Sequence, residues 1–137
     1  MPIQFVPEPG MVLLCDYDTG FRPPEMVKLR HCIVTSSKFQ NKQGLCIVVP
    51  VSSVEPKPFL AYHFLFGANA YPFFKPDRSH WAKCDLISHV GFARLDRLLL
   101  NGQRATPKIS DAHLTGVRHC VLSAAGLHAL KPQSPPH

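Results

Sequence analysis

Proline is the residue that most constrains what this chain can fold into. Fourteen of the 137 residues are proline, and eleven of these precede residue 131 and separate short apolar runs. Because proline lacks a backbone N–H and is poorly tolerated inside helices and central strands, the runs between prolines favour short strands over long helices. The other three prolines lie in residues 131–137, which we expect to be disordered.

Five apolar runs are predicted as strands. They are residues 11–17, 32–36, 45–51, 59–66 and 80–85. Pro50 lies inside the third run and predicts a bulge or a sheet edge there. In the fifth run the two-residue period of a strand places Trp81, Lys83 and Asp85 on one face.

Residues 110–126 have the features of an amphipathic helix. Ser110 is a good N-cap, Asp111 falls in the first turn, and Gly126 is a plausible stop. One apolar stripe follows the helical period, at Leu114, Val117, Val121 and Ala124. We expect this helix to pack on a small β unit, giving one domain over residues 1–130. Residues 94–100 are interpreted as a short helical turn, and residues 67–78 as a surface loop.

The composition describes a folded, basic chain. Apolar residues make up 45%, and 15 Lys and Arg against 9 Asp and Glu give a net charge of +6. This charge favours an anionic partner such as nucleic acid or an acidic polypeptide. No apolar stretch approaches the roughly 20 residues that span a bilayer, and no secretion signal precedes the first strand. Five cysteines without a CxxC pair indicate reduced thiols. We therefore expect a soluble, cytoplasmic protein.

Several common chemistries have no signature in the chain. The nucleophile elbow, the phosphate-binding loop and the dinucleotide fingerprint are all missing. His80, Cys84 and His89 are spaced loosely, and they do not form both halves of a structural zinc site. We predict neither a metal nor a cofactor.

Four motifs occur in an informative order. A Pro-Glu-Pro-Gly segment ending at Gly10 precedes the first strand, and a Glu25 to Arg30 segment leads into the second. The third strand ends in Val-Pro-Val-Ser-Ser at Ser53, and Lys83-Cys-Asp85 closes the fifth. Over about residues 6 to 95, this order resembles the MazF/PemK (Kid) family of toxins of type II toxin–antitoxin systems.

The resemblance implies a fold and an activity. The fold is a mainly β (α+β) SH3-like barrel with a C-terminal helix. The activity is metal-independent, sequence-selective endoribonuclease cleavage of single-stranded RNA. The resemblance also implies a homodimer with RNA across the dimer groove, no membrane association, and a cognate antitoxin whose acidic flexible segment competes for that groove.

Site residues follow from the same resemblance. The catalytic positions fall on Arg30, Ser52, Lys83 and Asp85, and the RNA-binding positions on Glu25, Lys28, His31 and Ser53. A carboxylate such as Asp85 can accept the proton of the attacking 2′-hydroxyl. Arg30 offers a planar fork for phosphate oxygens. Lys83 or Arg30 can protonate or stabilise the leaving 5′-oxygen, so the sequence does not decide which residue is the general acid.

The chain departs from the family pattern at three positions. His31 replaces a proline, Ser52 replaces a threonine, and Pro24 replaces a histidine used in the PemK branch. His31, His63 or His89 could take over that histidine's role. An alternative interpretation is a catalytically inactive relative that binds nucleic acid or an antitoxin peptide without cleavage. A further one is a single-strand binder that stacks bases on the aromatic residues of 71–78.

Overall fold

The computed structural model describes residues 2–24, 28–127 and 129, and they form a mostly antiparallel β fold with one long C-terminal helix. The strands are β1 (Val12–Asp16), β2 (Leu29–Val34), β3 (Leu45–Ser52), β4 (His63–Phe66), β5 (His80–Lys83), β6 (Ser88–Gly91), β7 (Leu95–Asp96), β8 (Leu98–Leu100) and β9 (Gln103–Ala105). The helices are α1 (Lys38–Asn41) and α2 (Asp111–Ala124), with 3-10 turns at Cys84–Leu86 and Phe92–Arg94.

Seven strands form one sheet in the order β4-β5-β3-β2-β1-β7, with β6 also pairing β3. β8 and β9 form a separate hairpin. The mainly β fold with a C-terminal helix is confirmed. Among the described residues, however, the sheet is an open path and does not close into a barrel.

The central strand β3 divides the interior into two hydrophobic clusters. Val49 and Val51 belong to a cluster that includes residues of α2, while Val48 belongs to a cluster beside β1 and β2. Successive side chains of a strand point to opposite faces, so alternate residues of β3 serve different clusters. Each face of this strand is therefore buried along part of its length.

Pro50 is accommodated inside the central strand, which differs from the edge or bulge that the sequence predicts. It pairs with Cys32 of β2. On the other side of β3, pairing to β6 ends at Val48 and pairing to β5 begins at Val51. Pro50 thus lies between two partner strands on that side of β3. The missing N–H of proline therefore costs the sheet no hydrogen bond.

Helix α2 is confirmed, but its buried face differs in part from the predicted stripe, because Cys120 is buried while Val121 and Ala124 are only partly buried. The Ser110 side chain accepts a hydrogen bond from the His113 backbone N–H at 3.2 Å. Leu114, Val117 and Cys120 are its buried residues. The helix therefore covers the first hydrophobic cluster with one apolar face.

Two segment predictions are wrong. Residues 95–96 and 98–100 are strands β7 and β8, because Asn101 and Gly102 adopt positive φ (49° and 80°) and turn the chain into a β8–β9 hairpin. The 67–78 segment is irregular but is not a simple surface loop, since Phe73 and Phe74 are 8% and 7% exposed. The predicted disordered tail, residues 131–137, lies outside the described residues.

Several strand limits also differ from the predictions. β2 begins at Leu29 and β4 at His63. β5 ends at Lys83, so Asp85 lies in the following 3-10 turn.

Replacing Gly116 with alanine should destabilise the fold. A Cβ at this position would lie 2.2 Å from Cε2 of Phe64, whose ring packs against Phe66 at 5.0 Å between centroids. In an exposed helix, replacing glycine with alanine raises the free energy of unfolding by about 1 kcal/mol. Overpacking a buried contact lowers it by about 1–3 kcal/mol. Urea unfolding should show a lower free energy of unfolding for Gly116→Ala, and no loss for the exposed control Thr115→Ala. Increased stability of Gly116→Ala would contradict the close packing of Phe64 on α2.

Candidate active site

Strand register places Arg30 and Ser52 on the same face of the sheet. Cys32 of β2 pairs with Pro50 of β3, so these two residues share a face. Arg30 is two residues from Cys32, and Ser52 is two residues from Pro50. Because faces repeat every second residue, all four side chains belong to one face.

The same face continues across β5 and β4. Ser52 pairs with Trp81, and Lys83 pairs with His63. Trp81 and Lys83 are two residues apart on β5, which keeps the face unchanged. Arg30, Ser52, Lys83 and His63 therefore come from four different strands to one side of the sheet, which we call the site face.

Asp85 lies at the end of the site face. It follows β5 in the 3-10 turn Cys84–Leu86, and its side chain is 38% exposed. Its Oδ1 is 3.8 Å from Nε2 of His63. Asp85 lines an open cavity of about 320 Å³, which we call the aspartate pocket. The other lining residues are Pro24, Pro56, Lys57, Pro58, Leu60, Tyr62, His63, Lys83 and Leu86.

A second cavity, which we call the histidine pocket, shares no lining residue with the first. It has a volume of about 190 Å³ and is lined by Leu14, Leu29, Arg30, His31, Val51, Ser53, Lys75 and His80. By the strand period, His31 and His80 belong to the face opposite the site face. Ser53, at the start of the β3–β4 connection, lines this pocket, and residues 56–58 and 60 of the same connection belong to the lining of the aspartate pocket. The lining of this pocket carries cationic groups and no carboxylate.

Burial favours the neutral form of the two histidines of this pocket. It lowers the pKa of His31, and positive charges on His80 and Lys75 lower it further. Burial also lowers the pKa of His80, against an upward effect of a backbone hydrogen bond at Arg78. The Phe74 ring stacks on His80 at 4.7 Å between centroids and meets His31 edge-on at 6.0 Å. An anion bound in this pocket would favour protonation of both rings.

The predicted RNA-binding residues are spread over these features. His31 and Ser53 line the histidine pocket. Lys28 is exposed and has a positive φ of 77°. Glu25 lies outside the described residues.

Ser52 is buried at the end of β3. It is 5% exposed, and its Oγ accepts a hydrogen bond from the Val54 N–H at 3.1 Å. The neighbouring Ser53 is more exposed and faces a cavity. The geometry favours Ser53 over Ser52 as the hydroxyl that a ligand can reach.

Sequence reasoning missed four residues of these cavities as site residues: Lys57, Tyr62, Lys75 and His80. Lys57 lies between two prolines, a weak sign of a shaped loop. Lys75 follows the aromatic run whose burial was not predicted. No spacing in the sequence connects these residues to Arg30 or Asp85.

The described residues contain neither a candidate metal site nor a candidate membrane-spanning helix. Over residues 2–24 and 28–127, no group of three or more His, Cys, Asp or Glu is arranged to hold a metal ion. No helix in this part of the chain is long and apolar enough to cross a membrane.

The fold and its sequence define a class of protein, the toxin component of a toxin–antitoxin pair. The family model for PemK-like, MazF-like toxins of type II toxin–antitoxin systems matches residues 8–122. This match spans most of the chain, and the chain therefore belongs to the MazF/PemK toxin family.

Two related sequences carry no assigned activity. An uncharacterized protein of Haemophilus influenzae is 29% identical, with 93% of this chain and 95% of the relative covered. The putative uncharacterized protein YifN of Escherichia coli K12 is 32% identical, with 71% of this chain and 76% of the relative covered.

Solved structures share the fold at low sequence identity. MazF of Deinococcus radiodurans superposes with a TM-score of 0.67 at 18% identity, covering 90% of this chain and 99% of that chain. A MazE-MazF structure from the same organism gives 0.60 at 19% identity, with the same coverage of both chains. Mycobacterium tuberculosis toxin MazF-mt6 gives 0.59 at 11% identity, covering 85% and 97%.

Stability should fall as the pH decreases through the histidine range. The unfolded chain protonates His31 and His80 near their ordinary pKa of about 6.5, whereas the lowered pKa values keep them neutral in the folded chain. The stability that the two neutral histidines contribute is fully present above about pH 6.5. It is lost as the pH falls below that value, because the unfolded state then binds more protons than the folded state.

For each variant, urea unfolding at about pH 7.5 and at about pH 5.5 gives the loss of unfolding free energy between the two conditions. His31→Gln should reduce the loss of stability between the two conditions, and the exposed control His89→Gln should leave it unchanged. An equal loss in the wild type and His31→Gln would contradict the neutral, buried state of His31.

Proposed function

We propose that this chain is a metal-independent endoribonuclease toxin that cleaves single-stranded RNA by attack of the 2′-hydroxyl on the adjacent phosphate. The observation that carries the proposal is the cavity that Lys83 and Asp85 line together, with Arg30 on the same face of the sheet as Lys83 by strand register. Membership of the MazF/PemK family supports it.

Asp85 is suited to the role of general base. Its carboxylate is partly exposed in an open cavity, where a ribose can approach it. It takes the proton of the 2′-hydroxyl, and the 2′-oxygen then forms a bond to phosphorus. A buried carboxylate could not contact the substrate in this way.

Lys83 acts on the leaving 5′-oxygen, and Arg30 acts on the non-bridging phosphate oxygens. As the bond from phosphorus to the 5′-oxygen breaks, the Lys83 ammonium group gives that oxygen a proton. The Arg30 guanidinium, which stays charged at all relevant pH values, stabilises the non-bridging oxygens of the pentavalent phosphorus. The products are a 2′,3′-cyclic phosphate and a 5′-hydroxyl, and the sequence of steps needs no metal.

The histidine pocket extends the RNA-binding surface. Lys75 and Arg30 supply positive charge there, and Ser53 supplies a hydroxyl. A neighbouring phosphate of the same strand fits this lining, because cationic side chains bind the backbone of any sequence. Unstacked bases can contact Phe59, Tyr62 and Trp81 near the aspartate pocket.

An acidic antitoxin segment is the second partner that we propose. The net charge of +6 attracts carboxylates as it does phosphates. A structural relative from Deinococcus radiodurans is a MazE-MazF structure, which supports a protein partner of this kind. Homodimer formation and location in the cytoplasm stay predictions from the family resemblance.

Cleavage of a labelled single-stranded RNA in EDTA tests the activity. The wild type should cleave it and leave cyclic phosphate ends. Asp85→Asn and Arg30→Ala should each lower kcat by about 100-fold or more. Asp111→Asn and Arg104→Ala are matched controls away from the site and should retain full activity.

Two outcomes contradict the proposal. The first is a wild type that cleaves no RNA. The second is cleavage that persists equally in Asp85→Asn and Arg30→Ala. Binding of RNA without cleavage would instead support the inactive relative.

A further inference from the structure

Structural contacts distinguish the three histidines that could replace the family histidine absent at Pro24. Of the three candidates, His31 lies in the histidine pocket on the opposite face, and His89 is exposed on β6. His63 is the candidate that meets Asp85, with 3.8 Å between Nε2 and Oδ1. This places a histidine beside the proposed base from a different part of the chain.

The proton on the His63 ring is assigned by a backbone contact. Nδ1 of His63 accepts a hydrogen bond from the Leu60 N–H at 3.0 Å. A nitrogen that accepts a hydrogen bond carries no hydrogen in the neutral ring. The hydrogen is therefore on Nε2, the nitrogen that faces Asp85.

The ring is held in this orientation from several sides. Tyr62 lies edge-on at 4.7 Å and Phe59 at 6.0 Å between ring centroids. The His63 side chain is only 8% exposed, while that of Asp85 is 38% exposed. The carboxylate is thus more accessible to a substrate than the imidazole.

We propose that His63 is the positioning residue of the proposed base. It directs Nε2–H at Oδ1 of Asp85, so that Oδ2 stays turned toward the cavity and the 2′-hydroxyl. The 3.8 Å separation exceeds a hydrogen bond, and we expect it to shorten when RNA fills the pocket. This inference rests on the proposed ribonuclease function and adds the residue that orients its carboxylate.

The charges around the pair are consistent with this role. Lys83 pairs with His63 in the β4–β5 register, and Lys57 lines the same cavity. Both lysines line the cavity that Asp85 lines, so their positive charges can compete with His63 for its carboxylate. A fixed donor on a buried ring favours one orientation of Asp85 over these competing ones.

Steady-state kinetics on the RNA substrate separates positioning from binding. His63→Phe keeps a ring but removes both nitrogens, and should lower kcat by about 10-fold to 100-fold with KM within about 2-fold. His63→Gln places an amide N–H near the position of Nε2 and should recover part of the lost kcat. The exposed control His89→Phe should match the wild type.

The effect should also depend on Asp85. In the Asp85→Asn background, adding His63→Phe should change kcat by less than about 2-fold, because residues that act as a unit are not additive. An unchanged kcat in His63→Phe would overturn the inference. An equal loss in both backgrounds would overturn it as well, since it would show a purely structural effect.

Nitrogen NMR gives a readout that does not need activity. The wild-type spectrum should show a hydrogen on Nε2 of His63, and Asp85→Asn should shift that resonance. A hydrogen on Nδ1, or an Nε2 signal indifferent to Asp85→Asn, would overturn the inference even in a chain that cleaves no RNA. Failure of the ribonuclease function and failure of His63 positioning are therefore distinguishable.

Discussion

The alternation of side chains along β3 is the constraint on which the rest of the structure depends. This strand pairs with β2, β5 and β6, so its residues contribute to both hydrophobic clusters. Val49 and Val51 belong to the cluster that includes residues of α2, while Pro50 and Ser52 lie on the same face of the sheet as Arg30 and Lys83. A slip of one residue would exchange the two sets, moving valines into the site and polar groups into the core. Core packing and site assembly are thus set by the same register.

Strong local signals made the main elements predictable. Ser110 caps α2, and an apolar stripe marks the face that it buries. The run that forms β3 is β-branched and apolar, and its assignment is correct apart from one added residue. The leucine-rich segment before Asn101 was misinterpreted because its pairing partner, β9, has a polar and weakly strand-like sequence. Burial of Phe73 and Phe74 depends on the tertiary cluster with Phe66, which no local pattern reveals.

The candidate site was predictable only in part. Arg30, Lys83 and Asp85 were identified because they fall on an ordered set of family motifs, and strand register then relates Arg30 and Lys83. His63 could not be ranked above His31 or His89, because its proximity to Asp85 arises from pairing of β4 with β5. The Leu60 contact that orients its ring is equally invisible in the sequence. Long-range strand pairing therefore places beside Asp85 the histidine that the motifs could not identify.

In the mechanism that we propose, the scissile phosphate binds at Arg30 with the adjacent ribose beside Asp85. A crystal structure with an RNA that carries a 2′-deoxy sugar at the cleavage position, and so cannot react, tests this binding mode most directly. We expect a non-bridging phosphate oxygen in hydrogen-bond contact with the Arg30 guanidinium, and the C2′ atom facing the Asp85 carboxylate. Binding with the scissile phosphate remote from both Arg30 and Asp85, for example beside His31 and His80 alone, would contradict it.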